Sequence, residues 1–428
     1  MLNDWIHWLS SLHPDQLAWL LLPLLLFDAP RYAMAVVAMW LWDCCASLYR
    51  RIRGRSVPKS YGHCPSVCVV IAGLNEADTI GQTLRSCWGT YPKLEIIVVD
   101  DGSTDGMAKV ANDFANTHAG VRVLRKPQRG GKSSALNFAL AFTKAEVIVG
   151  IDADSHIESN TIWEIVQPFR DENVGAVSGA VLARNPFTNF ATWMQAFEYL
   201  TCIFVGRMLA ARLKVLGIVS GALGAFRRSA LDRVEGWDVG PGEDGDLTLK
   251  LRKAGYSIAF APYAQCLTNL PIDWFRWINQ RRRWTWAVVT FEGRKHIDLA
   301  NIFRRNFRAS NLLVILDRWM YNILFPFLIW VYLIWTIGFN YHEHTWKQYL
   351  LYYLLYVGFE SAQAAIAVYY SNNRWRDMWV GIAAPLMPFY HLTLKLVTIG
   401  AVTEEAFWRR SYEDNFVPAH VRRATWHW

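Results

Sequence analysis

"EVIVGIDADSH", residues 146–156, decides the fold. EVIVGI is apolar and β-branched without polar alternation, the texture of a strand buried on both faces. It ends on two carboxylates, Asp152 and Asp154. Working outward, "VCVVIAG" (67–73), "LEIIVVDDG" (94–102) and "VRVLRKP" (121–127) have the same make-up and also end in Gly, Asp or Pro. Stretches of helical length separate them, among them "ADTIGQTLRSCW" and "KSSALNFALAFTKA". Strand–helix alternation predicts a parallel sheet covered on both faces. Ligands of such sheets bind beyond the carboxyl ends of the strands. Asp100, Asp101, Asp152 and Asp154 are therefore expected at one crevice.

The rest of the 428 residues is of a different kind. The chain is 53% hydrophobic and carries 22 Trp, 18 Tyr and 22 Phe, yet its mean hydropathy is only +0.10. That excludes both an ordinary soluble enzyme and a wholly embedded transporter, and points to a soluble domain plus a few spans. Apolar runs at 16–27 and 32–49 predict an N-terminal transmembrane hairpin within 1–55. A soluble α/β domain follows over 56–270, then interfacial amphipathic helices over 271–311. C-terminal spans are expected over 312–405 (runs at about 312–337, 347–370 and 378–402), and 406–428 is a tail. The net charge of +8 gathers beside apolar runs, at Arg50, Arg51, Arg53, Arg55 and again at Arg304, Arg305, Arg308. This is the positive-inside pattern, and no nucleic-acid partner is expected. If every run crosses, the C-terminus lies outside, whereas Arg409, Arg410, Arg422 and Arg423 argue for inside. Seven cysteines without a CxxC read as reduced thiols, and no cleavable signal peptide is evident.

Several short stretches carry chemistry. In "VVDDGSTDG" a strand-end carboxylate can accept hydrogen bonds from a nucleoside, or simply cap a turn. Asp152-x-Asp154 supplies two hard oxygen donors of the kind Mg²⁺ or Mn²⁺ takes beside a phosphate. In "GPGEDGDLTLKL" Glu243, Asp244 and Asp246 either complement a helix N-terminus or supply a general base, worth roughly 10²–10⁴ in rate. "RKPQRGGKSS" is no P-loop, because Lys126 stands where glycine is required; Lys132, at a helix start, can still meet a diphosphate. "YHEHTW" (341–346) reads as a loop rather than a metal clip. In "WINQRRRWTW" (277–286), helical phase puts Gln280, Arg283 and Trp284 on one face. Arg281 and Arg282 then face lipid headgroups or the enzyme domain. A guanidinium can grip a departing diphosphate, and an indole can carry a sugar; a snorkelling arginine cluster is the alternative.

Together, "DDG", "DAD", "ED" and Q-x-x-R-W, in that order over about 75–285 and followed by apolar runs, resemble processive membrane-embedded family-2 glycosyltransferases. Cellulose, chitin, hyaluronan and poly-N-acetylglucosamine synthases form that group. "VSGALGAFRRSAL" (219–231) and "EDGDLTLKL" (243–251) look most like the poly-N-acetylglucosamine synthases. The resemblance implies a GT-A-type nucleotide-sugar-binding domain inserted between N-terminal and C-terminal transmembrane helices. It implies that Asn75, Glu76 and Asp101 contact the nucleoside, that Asp152 and Asp154 hold UDP and a Mg²⁺ or Mn²⁺ ion, and that Lys132 assists at the phosphates. Asp244, beside Glu243, would be the base; Gln280, Arg283 and Trp284 would bound the acceptor and the leaving UDP. Gly242 stands where the cellulose and poly-N-acetylglucosamine enzymes carry Thr, so the sugar stays open.

The expected activity is inverting, processive transfer from UDP-GlcNAc or UDP-Glc to a growing polysaccharide, with export across the inner membrane and a cytoplasmic catalytic domain. Five apolar runs are few for a channel, which makes a small membrane subunit or a homo-oligomer a candidate partner. The alternatives are a glycolipid synthase of the ceramide-glucosyltransferase kind and a non-catalytic nucleotide-sugar sensor or scaffold.

Overall fold

The computed structural model describes residues 2–13, 16, 20, 34–53, 61–305, 307–339, 341 and 344–425. Its centre is an eight-stranded sheet in the order β3-β2-β1-β4-β7-β6-β8-β5. The strands are β1 (Val67–Gly73), β2 (Leu94–Asp100), β3 (Val121–Arg125), β4 (Val147–Asp152), β5 (His156–Ile157), β6 (Val174–Ala183), β7 (Leu223–Arg227) and β8 (Ser257–Thr268). β1 to β4 fall on the four apolar runs read from the sequence and pair in parallel. The other half is mixed: β7 runs antiparallel to β4 and β6, and β8 is parallel to β6. The all-parallel expectation thus holds for one half only.

Both faces are covered, as side-chain alternation along a strand requires. Val67, Val69 and Ile71 of β1 enter one apolar cluster, and Cys68 and Val70 enter the other. The first cluster continues through Phe197, Leu200 and Phe204 to Ala364, Ala367 and Met387 of the apolar C-terminal helices. The α/β domain and those helices therefore share one core. All seven cysteines are free thiols.

Among the described residues, three helical segments are long and apolar enough to cross a membrane: Ala309–Gly338, Thr345–Tyr370 and Arg374–Trp408. All are C-terminal, and no N-terminal transmembrane helix is seen among the described residues. This corrects the expected architecture, a GT-A domain flanked by spans on both sides. The run at 16–27 falls almost entirely outside the described residues. The second run forms the Ala35–Ile52 helix, which carries Asp43, Arg50 and Arg51 within 18 residues. Asp43 forms an ion pair with Arg212 of the α/β domain at 2.6 Å and accepts the Tyr370 hydroxyl at 2.5 Å. A charge fixed there by polar partners holds the helix against the protein. Within 298–311, the stretch read as an amphipathic helix, only the ends are helical: a 3₁₀ turn, Ile297–Ala300, and the start of the helix at Ala309.

The third apolar segment touches the rest of the protein at both ends. Near its start, the Trp193 indole donates to the Trp379 carbonyl at 3.3 Å. Near its end, Glu404 pairs with Arg282 and Glu405 with Arg294, at 2.8 and 2.7 Å. The following tail returns to the crevice, where Arg129 donates to the carbonyls of Asn415 and Phe416. The tail thus packs against the α/β domain.

Candidate active site

A cavity of about 970 Å³ opens at the carboxyl ends of β1, β2 and β4 and runs on between the apolar helices. Strand register creates its first wall, since Gly73 pairs with Asp100 and Ala72 with Asp152. Asp101, just beyond β2, is buried. Its oxygens accept from Lys126 (2.8 Å) and from the amides of Gly130 (2.9 Å) and Gly131 (2.6 Å), tying down the loop that leads to Lys132. Gly131 has φ +84°, a left-handed conformation suited to glycine. Asn75 also has positive φ (59°). Its side chain accepts from the Thr104 amide at 2.9 Å instead of lining the cavity. Glu76 does line it.

Lys132 is the hub of the acidic cluster. Its ammonium is 2.5 Å from Asp152, 3.3 Å from Glu243 and 3.3 Å from the Gly221 carbonyl. Burial opposes its charge, but Asp152, Glu243 and Asp244 together hold its pKa above the ordinary lysine value. Glu243 is raised by burial first, partly offset by Lys132. Asp244 sits in the first turn of the Glu243–Lys253 helix and accepts from the amides of Gly221 (3.1 Å) and Gly245 (2.8 Å). These bonds aim the carboxylate across the cavity. A Cβ at Gly221 would lie 3.1 Å from the Lys132 ammonium and 3.4 Å from Asp244, so that position has to be small.

Asp154 is pushed up to about 6, by burial first and then by the charges of Asp152 and Glu76. Among the described residues, no group of three or more His, Cys, Asp or Glu side chains forms a metal cage. Crowded carboxylates that resist ionising nevertheless fit a divalent cation that takes its remaining ligands from a diphosphate. His342 and Glu343, of the stretch read as a loop rather than a metal clip, lie outside the described residues.

The QRRRW stretch is helical, within Trp274–Ala287, and Gln280, Arg283 and Trp284 all line the cavity. Arg283 makes no hydrogen bond or ion pair among the described residues; its guanidinium lies 4.6 Å from the centre of the Phe416 ring. Of the two expected surroundings, Arg281 takes the enzyme domain, while Arg282 meets the third apolar segment. Arg282 clasps Glu404. Arg281 is buried against Glu198 (2.7 Å) and packs 4.2 Å from the Trp284 ring centre. The Tyr390 hydroxyl donates to the same Glu198 oxygen (2.6 Å) and receives the Trp277 indole N–H (2.9 Å).

One wall went unread in the sequence. Phe190–Glu198 continues through a π-helical turn, Tyr199–Gly206, into Arg207–Arg212. Glu198, Tyr199, Cys202, Ile203 and Arg207 from this segment line the cavity. π-turns concentrate at functional sites, but their sequence reads as ordinary apolar helix.

Comparison with known proteins accords with this geometry. Residues 68–235 match the model of Glycosyl transferase family 2. That stretch spans β1 to β7 and so holds the strand-end carboxylates. The chain is 29% identical over 235 residues to a poly-beta-1,6-N-acetyl-D-glucosamine synthase of Staphylococcus epidermidis, covering 54% of this chain and 57% of that one. It is 32% identical over 233 residues to a beta-monoglucosyldiacylglycerol synthase of a Nostoc species, covering 52% and 49%. The chain thus spans about half the length of the curated relatives it matches. Among solved structures it resembles a mannosyltransferase from Pyrobaculum calidifontis in complex with GDP-Man and Mn²⁺. The TM-score is 0.57 at 23% identity, covering 89% of this chain and 99% of that one. At that identity the likeness concerns the fold, and the fold places the glycosyltransferase domain's strand-end crevice beside the apolar helices.

Proposed function

We propose that this protein is an inverting hexosyltransferase of the membrane, moving a sugar from UDP-GlcNAc or UDP-Glc onto a growing polysaccharide. One observation carries the reading: a single cavity joins the strand-end carboxylates to Asp244 and Arg283, then continues past Tyr356, Gln363 and His391 between the apolar helices. Its volume is at the top of the roughly 300–1,000 Å³ range of ligand sites, which suits a donor and an acceptor together. UDP would lie against Glu76, Asp101 and Lys132, with its diphosphate toward Asp152 and Asp154. A divalent cation held by those two carboxylates would supply charge neutralisation at the diphosphate. Asp244 takes the proton from the acceptor hydroxyl as its oxygen bonds to the anomeric carbon. The bond to UDP breaks on the opposite face, which inverts the anomeric centre. Arg283, free of any carboxylate, balances the charge growing on the departing UDP.

We place the domain on the cytoplasmic face of the inner membrane and the polymer's exit between the apolar helices. Arg304, Arg305 and Arg308 stand directly before the first apolar helix, on the domain's side, as the positive-inside pattern asks. A homo-oligomer or a small membrane subunit would complete the exit. A second reading, one sugar added to a membrane lipid, draws support from the cavity's opening among apolar helices and from the glycolipid-synthase relative. The test is to incubate the purified protein with a panel of UDP-sugars and Mg²⁺ or Mn²⁺, reading UDP release and product size. A solvent-resistant polymer is expected; a single extractable lipid product would favour the second reading, and no UDP release with any donor would sink both.

A further inference from the structure

Among the described residues, three cavity-lining arginines have no carboxylate at ion-pair distance. Arg129 is taken up by the carbonyls of Asn415 and Phe416, and Arg283, toward the leaving group, has a use in the reading above. Arg207 does not. It directly follows the π-turn, and its only side-chain hydrogen bond among the described residues runs from Nη1 to the Ser178 hydroxyl at 3.3 Å. A guanidinium carries five N–H donors, so most of this set is left for whatever fills the cavity. Burial lowers its pKa to about 10, against the field of Asp244, and it keeps its charge at neutral pH. Tyr199, at the start of the same turn, is buried with its hydroxyl unbonded to the protein among the described residues, yet it lines the same space.

Position tells which substrate these groups face. Ser178 Oγ accepts both from Arg207 and from the Ser220 amide (3.2 Å), and the next amide, Gly221, donates to Asp244. Lys132 holds the Gly221 carbonyl and Asp152 from the donor side. Arg207 approaches the same short segment by way of Ser178, away from Lys132. Tyr199 follows Glu198, whose partner Arg281 packs on Trp284. Tyr199 and Arg207 thus join the Trp284 platform to the base. Charge selects the ligand class: ten Asp and Glu line the cavity against seven Lys and Arg. That surplus repels an anionic acceptor group and favours a neutral polyol.

Resting on the transferase reading, we propose that the π-turn from Tyr199 to Arg207 is the acceptor-ring subsite. There the Tyr199 hydroxyl and the Arg207 guanidinium bind hydroxyl oxygens of the neutral pyranose whose free hydroxyl Asp244 deprotonates. No bond in the protein would need to break, because both groups hold donors in reserve.

The test uses the full-length protein in nanodiscs, with UDP-GlcNAc or UDP-Glc as donor and a short oligomer of the same sugar as acceptor. Arg207→Gln and Tyr199→Phe should each raise the acceptor KM about tenfold or more. UDP affinity in a direct binding assay should stay within about twofold. Arg207→Lys should recover much of the acceptor affinity while Arg207→Gln does not, a pattern that a packing role would not produce. A wild-type acceptor KM in Arg207→Gln, or UDP binding that falls in step with transfer, would overturn the subsite. So would preference for a phosphorylated lipid over the neutral oligomer. Failure of the wild-type protein to transfer from either donor would instead overturn the transferase reading beneath it.

Discussion

On the proposed function, the donor and acceptor halves of the cavity are built by opposite means. In the donor half, side chains are pinned: Asp101 is filled by two amides and a lysine, and Lys132 by Asp152 and Glu243. In the acceptor half, Arg207 and Tyr199 hold polar groups open, and the fixed pairs, Arg281–Glu198 and Arg282–Glu404, stand behind the Trp284 platform. A nucleotide of constant shape suits a pre-set cradle, whereas an acceptor that has to slide or leave suits donors that are not committed in advance.

The strongest test of this contrast is Asp244→Asn, at the boundary between the halves. Losing the base should lower transfer by about 10²–10⁴-fold, with UDP affinity nearly unchanged in a direct binding assay. If UDP affinity collapses as well, Asp244 belongs to the donor cradle and the boundary is misplaced.

The two halves also differ in how far the sequence discloses them. Asp101, Asp152 and Asp154 end strands whose apolar runs coincide with β1 to β4 within a residue or two, so local texture places them without any knowledge of the rest. Gln280, Arg283 and Trp284 follow from helical phase. Arg281 defeats the same reasoning. Its partner Glu198 lies 83 residues earlier, and a pair at that distance leaves no periodic trace. Tyr199 and Arg207 stay hidden because a π-turn in an apolar segment resembles core helix. Hydropathy shows that Arg374–Trp408 is apolar enough to cross a membrane, but not that both its ends, through Trp379, Glu404 and Glu405, are tied to the rest of the protein.

Next in size is the difference between neighbouring arginines. Arg283→Ala should cost about 10²-fold in turnover, since it removes a cation reserved for the leaving UDP. Arg282→Ala should cost well under tenfold, because its half-exposed pair with Glu404 is structural. Equal losses would mean that holding the third apolar helix matters as much as charge at the diphosphate. Glu198→Ala addresses the fixed pairs in the same way. It leaves the Arg281 guanidinium buried without its carboxylate, which should destabilise the protein by about 3 kcal/mol in thermal unfolding. Unchanged stability would show that this pair is not what fixes Trp284.

The smallest effect runs in the opposite direction. Asp154 has a carboxyl pushed up to about 6, so the folded protein resists ionising it. At about pH 2 to 3 it is protonated both folded and unfolded, and its ionisation costs nothing. As pH rises from about 3 through 6, the unfolded chain releases the proton first, and the folded state loses stability relative to it. Asp154→Asn removes that penalty. The variant should therefore be more stable than the wild type at pH 7.5 without added metal, by up to about 3 kcal/mol, and the gain should vanish towards pH 3. Added Mn²⁺ should raise the unfolding temperature of the wild type but not of the variant, narrowing the gap, while transfer by the variant falls. A variant no more stable than the wild type at pH 7.5 would mean that Asp154 already has a compensating partner. The donor cradle would then be fully paired, including the one place where it now resembles the open acceptor wall.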